Sequence, residues 1–332
     1  EILNGNIIFG DVLKKDRIDV SVTVSSDGGR KAEVITIQDA NNLSAIDGSL
    51  PFLHFFDGFR TSHEVNTINE LSDVDVLGLV NHDKVYEFKN RMLNVGRGIQ
   101  KGMAENEDIY FQSVEARNEL YNVMPDIVNH YMEEINKLTG KEYKPFNYHG
   151  ARDAENVIVA MGSVCDTVKL VIDDLVNKGE KVGLIEVHLY RPFSSKYLLN
   201  VLPETVKRIA VLDRTKEAGA SGEPLYLDVC STLKDKDIDI VGGRYGLSSK
   251  NTDPAQIYSV YCMLKGDLKN NFTIGIEDDV TNLSLEIKDY NVDLGTREIL
   301  IYGFGSDGMV STSKDIMHII GEKTNKYVQS YN

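Results

Sequence analysis

Residues 156–163 (NVIVAMGS), 181–188 (KVGLIEVH) and 208–215 (RIAVLDRT) decide the fold of this chain. Each run is short, rich in Val and Ile, and apolar at successive positions instead of alternate ones. That pattern is typical of strands that are buried on both faces. We therefore predict three strands of a sheet that is covered on both sides.

Helical segments separate these strands. Between the first and second strands, apolar residues recur at i, i+3, i+4, i+7 and i+8, which is one face of a helix. These residues are Val168, Val171, Ile172, Leu175 and Val176. Residues 195–206 form a shorter segment of the same kind. Strands and helices in alternation predict an α/β fold with a doubly wound, mostly parallel sheet and right-handed crossovers. Ligands of such sheets bind at the carboxyl ends of the strands, which here are residues 162–163, 190–192 and 213–216.

The composition bounds the class of protein. The 332 residues suffice for two or three domains, and 42% hydrophobic with 26% charged residues is typical of a globular chain. The net charge of −15 argues against nucleic acid and against an anionic membrane surface as partners. The sequence contains no apolar run of about 18 residues, so we expect neither a membrane span nor export.

Three cysteines are present, Cys165, Cys230 and Cys262, and none belongs to a CxxC pair. The chain alone therefore predicts no iron–sulfur cluster and no zinc site, and we assign no metal-binding residue. A sparse cysteine count is typical of a reducing compartment, so we expect a cytoplasmic protein.

Residues 1–48 are the least informative part of the sequence. Residues 19–24 (DVSVTV) and 32–38 (AEVITIQ) have the composition of strands, and a turn sequence separates them, so we predict a β-hairpin without an assigned function.

The next segment is dense in aromatic residues. Residues 50–56 (LPFLHFF) predict a buried strand, in which His54 is a core histidine with satisfied hydrogen bonds. The polar residues 60–64 then line a ligand pocket or a seam between domains, or else form a loop that satisfies its own hydrogen bonds.

Further elements follow along the chain. Residues 125–138 carry an apolar stripe and predict a helix, and the polar stretch 139–152 is predicted to be a linker with a domain boundary. Residues 237–242 predict a fourth parallel strand, and residues 273–279 (TIGIEDD) an edge strand.

A glycine-rich motif lies near the end of the chain. Residues 298–302 (EILIY) predict a strand, residues 312–323 predict a helix, and GFGSDG between them matches GxGxxG. Glycines let the backbone approach phosphate groups, and a helix N-terminus supplies N–H donors. Lys314, predicted in the first turn, adds a positive charge. We predict a phosphate-bearing ligand here; the alternative is a tight turn without a ligand. The candidate residues are Gly303, Gly305, Ser306, Asp307, Gly308 and Lys314.

Three stretches together resemble the pyruvate:ferredoxin (flavodoxin) oxidoreductases. They are residues 51–64 (PFLHFFDGFRTSHE), residues 182–227 (from VGLIEVHLYRPFSS through RIAVLDRTKEAGASGEPLYL), and residues 301–308 (IYGFGSDG) with Lys314. The first two stretches are long and specific. The resemblance extends from about residue 50 to the last residue, whereas residues 1–48 do not match.

The resemblance implies an enzyme that oxidatively decarboxylates pyruvate on thiamine diphosphate. Its electrons pass through iron–sulfur clusters to ferredoxin or flavodoxin, and the acetyl group is transferred to coenzyme A. The chain is then an internal fragment of such an enzyme. The implied domains are the end of a pyrimidine-binding-type domain with a helical connector (49–145), a transketolase-C-terminal-like domain (146–270) and the beginning of a coenzyme A-associated domain (271–332).

The resemblance also implies what the chain lacks. The thiamine diphosphate-binding domain and the cysteine-rich domain are expected to have no counterpart here, so the isolated chain is expected to be inactive and no catalytic residue is assigned. The six glycine-rich residues are implied to form part of a coenzyme A site, although Ser311, Thr312 and Ser313 replace the Gly-Ala-Asn that the family commonly has.

The implied partners are the remaining domains of the enzyme, ferredoxin or flavodoxin, and further copies of the chain in a homo-oligomer. If other domains dock on the strand ends, an exposed apolar patch is expected near residues 190–193 or 213–224. Two alternatives remain open: a nucleotide-binding module of the NAD type, and a structural subunit without catalytic activity.

Overall fold

The computed structural model describes residues 29–56, 58, 61, 71–98, 104–293 and 303–324. The chain divides into two compact units, and the larger one comprises residues 36–56 and 71–295. Residues 303–324 belong to the smaller unit.

The larger unit contains a six-stranded sheet. Its strands are β1 (Phe146–Gly150), β2 (Asn156–Ala160), β3 (Val182–Val187), β4 (Arg208–Asp213), β5 (Asp239–Arg244) and β6 (Phe272–Thr273). The order across the sheet is β1-β3-β2-β4-β5-β6. Strand β1 is antiparallel to β3, and every other pairing is parallel. The predicted mostly parallel α/β fold is thereby confirmed.

Helices cover both faces of this sheet and also occur in the segments before and after it. In the described part of the chain they are α1 (Gly29–Gly48), α2 (Asp73–Leu79), α3 (His82–Arg91), α4 (Tyr110–Glu115), α5 (Asn118–Thr139), α6 (Val164–Asn177), α7 (Ser195–Val201), α8 (Pro224–Leu233), α9 (Pro254–Lys265) and α10 (Met309–Lys323). Alternate residues of the central strands point to opposite faces. Ile158, Leu184 and Ala210 pack under α6 and α9, while Val159, Ile185 and Val211 pack under α7 and α8. The sheet is therefore doubly wound, as predicted.

A third apolar cluster joins α1 to α5. Leu43, Met124, Val128 and Ile135 are buried in it, together with Leu189 from the loop after β3. Helix α5 begins seven residues earlier than predicted and contains Pro125 in its interior. The packing of its buried stripe outweighs the one helical hydrogen bond that proline removes.

A carboxylate on α5 forms hydrogen bonds to side chains of α7. Asp126 accepts hydrogen bonds from Lys196 Nζ and from the Tyr197 hydroxyl of α7, both at 2.7 Å. These donors hold the pKa of Asp126 below its usual value.

Two predictions for the N-terminal segments are wrong. Residues 32–38 lie within α1 and not in a hairpin strand, because Ile37, Ala40 and Leu43 bury one helical face against α5; the other hairpin strand, 19–24, lies outside the described residues. Residues 51–56 have no regular secondary structure, and Leu53 is 86% exposed. His54 lies half-buried, with Nδ1 at 3.0 Å from Asn41 Nδ2, and it belongs to no strand.

Two predictions around the sheet also need correction. The predicted linker 139–152 contains β1, whose residues pair with β3 from Phe146 to Gly150. The predicted edge strand 273–279 ends at Thr273. Beyond Thr273 the strand pairing stops, because Gly275 has a left-handed backbone and the Asp278 carboxylate accepts N–H groups of a turn.

The domain boundaries near residues 48, 145 and 270 stay predictions. Among the described residues no helix is long and apolar enough to cross a membrane.

The contact between β5 and β6 provides a test of the sheet edge. A Cβ added at Gly243 of β5 would overlap the ring of the fully buried Phe272. We expect Gly243→Ala to lower the free energy of unfolding by about 1–3 kcal/mol, because Phe272 has no free space to move into. Denaturant titration of the purified chain measures this change.

Gly78→Ala is the matched control, since an added Cβ there meets no heavy atom within 4 Å. On helix α2 this change should stabilise the chain by up to about 1 kcal/mol. Equal effects of the two substitutions would contradict the proposed overlap.

Candidate functional site

The glycine-rich segment 303–308 forms a turn that leads directly into α10. Gly305 and Gly308 adopt left-handed backbone angles, φ 79° and φ 83°, and Gly308 is the N-cap of the helix. Glycine adopts this region without strain, which explains why the turn requires it at these two positions. Gly303 begins the turn, and the predicted preceding strand, 298–302, lies outside the described residues.

Asp307 closes this turn. Its Oδ2 accepts the N–H of Phe304 at 2.7 Å, and its Oδ1 accepts the N–H of Met309 at 3.1 Å. Both bonds lower the pKa of the carboxyl group. The carboxylate therefore uses two of the backbone donors that the sequence predicted for a phosphate.

The helix after the turn begins earlier than predicted. Because α10 begins at Met309 and not at residue 312, Lys314 lies in the second turn instead of the first, with an exposed side chain. The exposed Ser306 has φ 50°. A Cβ added at Gly305 or at Gly308 would meet no heavy atom within 4 Å, so the turn is open to a ligand on this side.

A second group of charged residues lies at the carboxyl ends of β4 and β5. Asp213 ends β4, and its two carboxylate oxygens accept the N–H groups of Leu225 and Tyr226, each at 3.1 Å. These N–H groups belong to the first turn of α8, whose N-cap residue Glu223 makes no side-chain capping bond. Asp213 thus caps the helix from a neighbouring strand. Burial raises the pKa of Asp213 to about 6, even though the two N–H groups oppose the shift.

Arg244 ends β5 beside this cap. Its Nη1 lies 3.4 Å from Glu223 Oε1, and its Nη2 donates to the carbonyl of Asn271 at 2.5 Å. Lys216 Nζ is 4.0 Å from the same Glu223 oxygen. Within the described part of the chain, the buried Arg244 Nε and Glu223 Oε2 have no hydrogen-bond partner. Because buried polar atoms normally have one, this pair retains capacity for a further polar group.

The two ends of the loop between β4 and α8 are thereby fixed. Asp213 holds its start and Glu223 its end, while residues 216–221 between them are exposed. The exposed residues are charged or small, and Tyr190 and Phe193 are half-buried against the sheet. The apolar patch predicted near 190–193 or 213–224 is therefore wrong. The charges that immediately follow apolar strands, in LDRTK and VGGR, are the sequence signal that could have revealed this cluster.

The described residues contain no group of three or more His, Cys, Asp or Glu side chains that could hold a metal ion. The three cysteines form no disulfide, and Cys165 is buried. An open, mostly parallel α/β sheet with charged groups at its strand ends defines a class of fold in which ligands commonly bind at the carboxyl ends of the strands.

Comparison with known proteins narrows this class. The family model for pyruvate:ferredoxin oxidoreductase core domain II matches residues 154–257. The model for pyruvate flavodoxin/ferredoxin oxidoreductase, thiamine diphosphate-binding, matches residues 28–133. Over 305 residues the chain is 49% identical to a pyruvate:ferredoxin oxidoreductase of Moorella thermoacetica and 46% identical to a pyruvate-flavodoxin oxidoreductase of Enterobacter agglomerans.

Each of these alignments covers 90% of this chain and 26% of the relative, so the chain spans about a quarter of their length. A weak structural similarity links it to a 2-oxoglutarate:ferredoxin oxidoreductase from Magnetococcus marinus with 2-oxoglutarate, coenzyme A and succinyl-CoA bound. The TM-score is 0.33 and the identity 14%, over 51% of this chain and 27% of that one.

The chain belongs to the pyruvate:ferredoxin (flavodoxin) oxidoreductase family. Two expectations are corrected by the match that begins at residue 28. Residues 28–48, which were expected not to match, do belong to a region that matches the family. The thiamine diphosphate-binding domain was expected to be missing, but the family model with that description matches residues 28–133.

The buried carboxylate Asp213 predicts a specific pH dependence. Its pKa is about 6 in the folded chain and 3.8 without the fold. The charged form is thus disfavoured on folding, and its unfavourable contribution develops as the pH rises from about 4 to about 6. Relative to the unmodified chain, we expect the free energy of unfolding of Asp213→Asn to rise by up to about 3 kcal/mol as the pH increases from about 4 to about 6. One pKa unit corresponds to about 1.4 kcal/mol.

Denaturant unfolding of both proteins between pH 4 and pH 7.5 measures this difference. Asp235→Asn, at an exposed position, serves as control and should show no comparable trend. A difference between Asp213→Asn and the unmodified chain that is constant with pH would refute the role of burial.

Proposed function

We propose that this chain is part of a thiamine diphosphate-dependent pyruvate:ferredoxin or pyruvate:flavodoxin oxidoreductase. Such an enzyme converts pyruvate and coenzyme A to acetyl-CoA and CO₂, and it transfers the released electrons to the acceptor protein. The observation that carries the proposal is the 49% identity over 305 residues to the enzyme from Moorella thermoacetica. The names of the relatives include both ferredoxin and flavodoxin at similar identity, so the proposal keeps both acceptors.

The cofactors of this reaction divide between the chain and the rest of the enzyme. Thiamine diphosphate, when bound, supplies the electron sink for decarboxylation of a 2-oxo acid, and the match over residues 28–133 supports its presence in the enzyme. No described residue is assigned to it. We place the iron–sulfur clusters in other parts of the enzyme, since the three cysteines of this chain are scattered.

We assign the glycine-rich turn to part of a coenzyme A site. Three features support a phosphate there: the open backbone at Gly305 and Gly308, the N-terminus of the 15-residue helix α10, and the exposed cation of Lys314. The Asp307 carboxylate opposes it, because it holds the N–H groups of Phe304 and Met309. A phosphate at these two donors would have to displace Asp307, whereas one bound nearer Lys314 would not.

The partners follow from the same proposal. The remaining domains of the enzyme, ferredoxin or flavodoxin, and further copies in a homo-oligomer are the proposed protein partners. The scattered free cysteines favour the cytoplasm as the location. The sheet of β1 to β6 then serves as a scaffold whose strand-end loops are held by buried charges.

Pyruvate turnover tests the proposed function. The full-length enzyme that contains this sequence, supplied with thiamine diphosphate, coenzyme A and an electron acceptor, is expected to release CO₂ from pyruvate. The isolated 332-residue chain under the same conditions is expected to release none. Release of CO₂ by the isolated chain would refute the proposal that the reaction needs other parts of the enzyme. A full-length protein that releases no CO₂ from pyruvate would refute the proposed activity.

Calorimetric titration of the chain tests the glycine-rich turn. We expect coenzyme A to bind, and Lys314→Met to weaken binding about five- to tenfold, because an ammonium–phosphate contact is lost. Lys323→Met, at an exposed position in the last turn of the same helix, is the matched control and should leave the affinity unchanged.

NAD serves as the second ligand in this titration. Binding of NAD without binding of coenzyme A would favour the alternative of a nucleotide-binding module. Binding of neither ligand would favour a structural role for the turn.

A further inference from the structure

Apolar side chains are covered unevenly within the larger unit. Between residues 146 and 273, the exposed large apolar side chains are Leu199, Leu227 and Leu247, and none is more than 45% exposed. The short stretch 104–123 has twice as many, with Phe111 reaching 70%. The sheet and its four helices therefore cover their own apolar surface, whereas the segment around α4 does not.

The apolar stripe of α5 is buried along only part of its length. Its buried stripe consists of Met124, Val128, Tyr131, Met132 and Ile135. Leu120 and Tyr121 precede Met124 by four and three residues, which places them on the same side of the helix one turn earlier. They are 40% and 49% exposed. The apolar stripe thus continues for one turn beyond the core that covers it.

The short helix α4, which is separated from α5 by two residues, also carries exposed apolar side chains. Ile109 precedes it, and Tyr110 and Phe111 form its first turn, with exposures of 47%, 56% and 70%. We call Ile109, Tyr110, Phe111, Leu120 and Tyr121 the α4–α5 face. Aromatic side chains dominate the buried centres of protein interfaces, and three of these five are aromatic.

The segment that carries the α4–α5 face is acidic. Residues 104–123 include five acidic residues and one basic residue, Arg117, all of them exposed. The acidic residues are Glu105, Glu107, Asp108, Glu115 and Glu119. Two copies of the chain joined through this face would bring like charges together, and the whole chain carries −15. A second copy is therefore disfavoured, and a surface bordered by lysine and arginine is favoured.

We propose that the α4–α5 face is an interface covered by another part of the same enzyme polypeptide, an apolar surface with a basic border. The inference rests on the proposed function, because the covering segment lies in the three-quarters of the relatives' length that this chain does not span. A partner in the same polypeptide binds without the entropic cost of bringing two separate molecules together, so a modest apolar face suffices to hold it.

Hydrogen exchange tests this interface directly. Peptides that cover residues 109–121 are expected to exchange at least tenfold more slowly in the full-length enzyme than in the isolated chain. Peptides from α7, whose outer side chain Leu199 lies outside the face, should differ little. Equal exchange of residues 109–121 in both proteins would overturn the proposal. So would sedimentation of the isolated chain as a dimer that Phe111→Glu dissociates, because a second copy would then occupy the face.

A pair of variants adds a readout that is independent of turnover. We expect Phe111→Glu to lower the thermal midpoint of the full-length enzyme by at least about 3 °C. In the isolated chain it should leave the midpoint within about 1 °C, since Phe111 is already exposed there and Glu is favourable in a first helical turn. Leu199→Glu is the control and should leave both proteins unaffected.

Equal shifts of the midpoint in the two proteins would overturn the proposal. A full-length protein that shows protection at residues 109–121 but no oxidation of pyruvate would refute the proposed function and retain the interface. The two failures are therefore distinguishable.

Discussion

Burial of β2, β3 and β4 on both faces is the constraint on which the rest of the structure depends. Their central residues, such as Ile158, Ile185 and Ala210, are completely inaccessible to solvent. Such strands must have helices on both sides, and parallel strands require crossover connections. The crossovers in turn bring the ends of β2, β3 and β4 to one edge of the sheet. The charged loop between Asp213 and Glu223 occurs at that edge for this reason.

The same constraint explains which parts of the fold were predictable from the sequence. Runs such as NVIVA and RIAVLD have no polar residue between their first and last positions, which is typical of strands in a two-sided sheet, and the structure confirms them. The edge strand β1 (FNYHG) has one buried residue and four half-buried ones, and this weak pattern is indistinguishable from that of a polar linker. Residues 32–38 failed for a different reason. Their β-branched residues favour a strand locally, but α5 offers an apolar surface that only a helix can match.

The candidate site was predictable to a smaller extent. The glycines at 305 and 308 were recognisable from the GxGxxG pattern, and the structure shows that both have a left-handed backbone. The hydrogen bonds of Asp307 to the N–H groups of Phe304 and Met309 were not predictable. Nothing in GFGSDG distinguishes an aspartate that binds a ligand from one that closes its own turn. The association of Asp213 with Glu223 and Arg244 was missed because these residues are 10 to 31 positions apart in sequence, and only the sheet register brings β4 and β5 together.

Asp213 and Asp307 make the same kind of bond and yet titrate in opposite directions. Each carboxylate lies outside a helix and accepts two backbone N–H groups, one or both of them in the first turn of that helix, α8 or α10. The bonds favour the charged form in both cases. Asp307 is exposed, so the bonds dominate and its pKa falls. Asp213 is only 5% exposed, and the loss of hydration there exceeds the effect of two N–H donors, so its pKa rises. Burial, and not the hydrogen bonds, therefore sets the direction of the pKa shift in these two capping carboxylates. For a turn proposed to meet phosphate, this difference matters. The Asp307 carboxylate competes with an anion at the helix N-terminus, and binding there requires this exposed carboxylate to move into water, where hydration replaces its two hydrogen bonds.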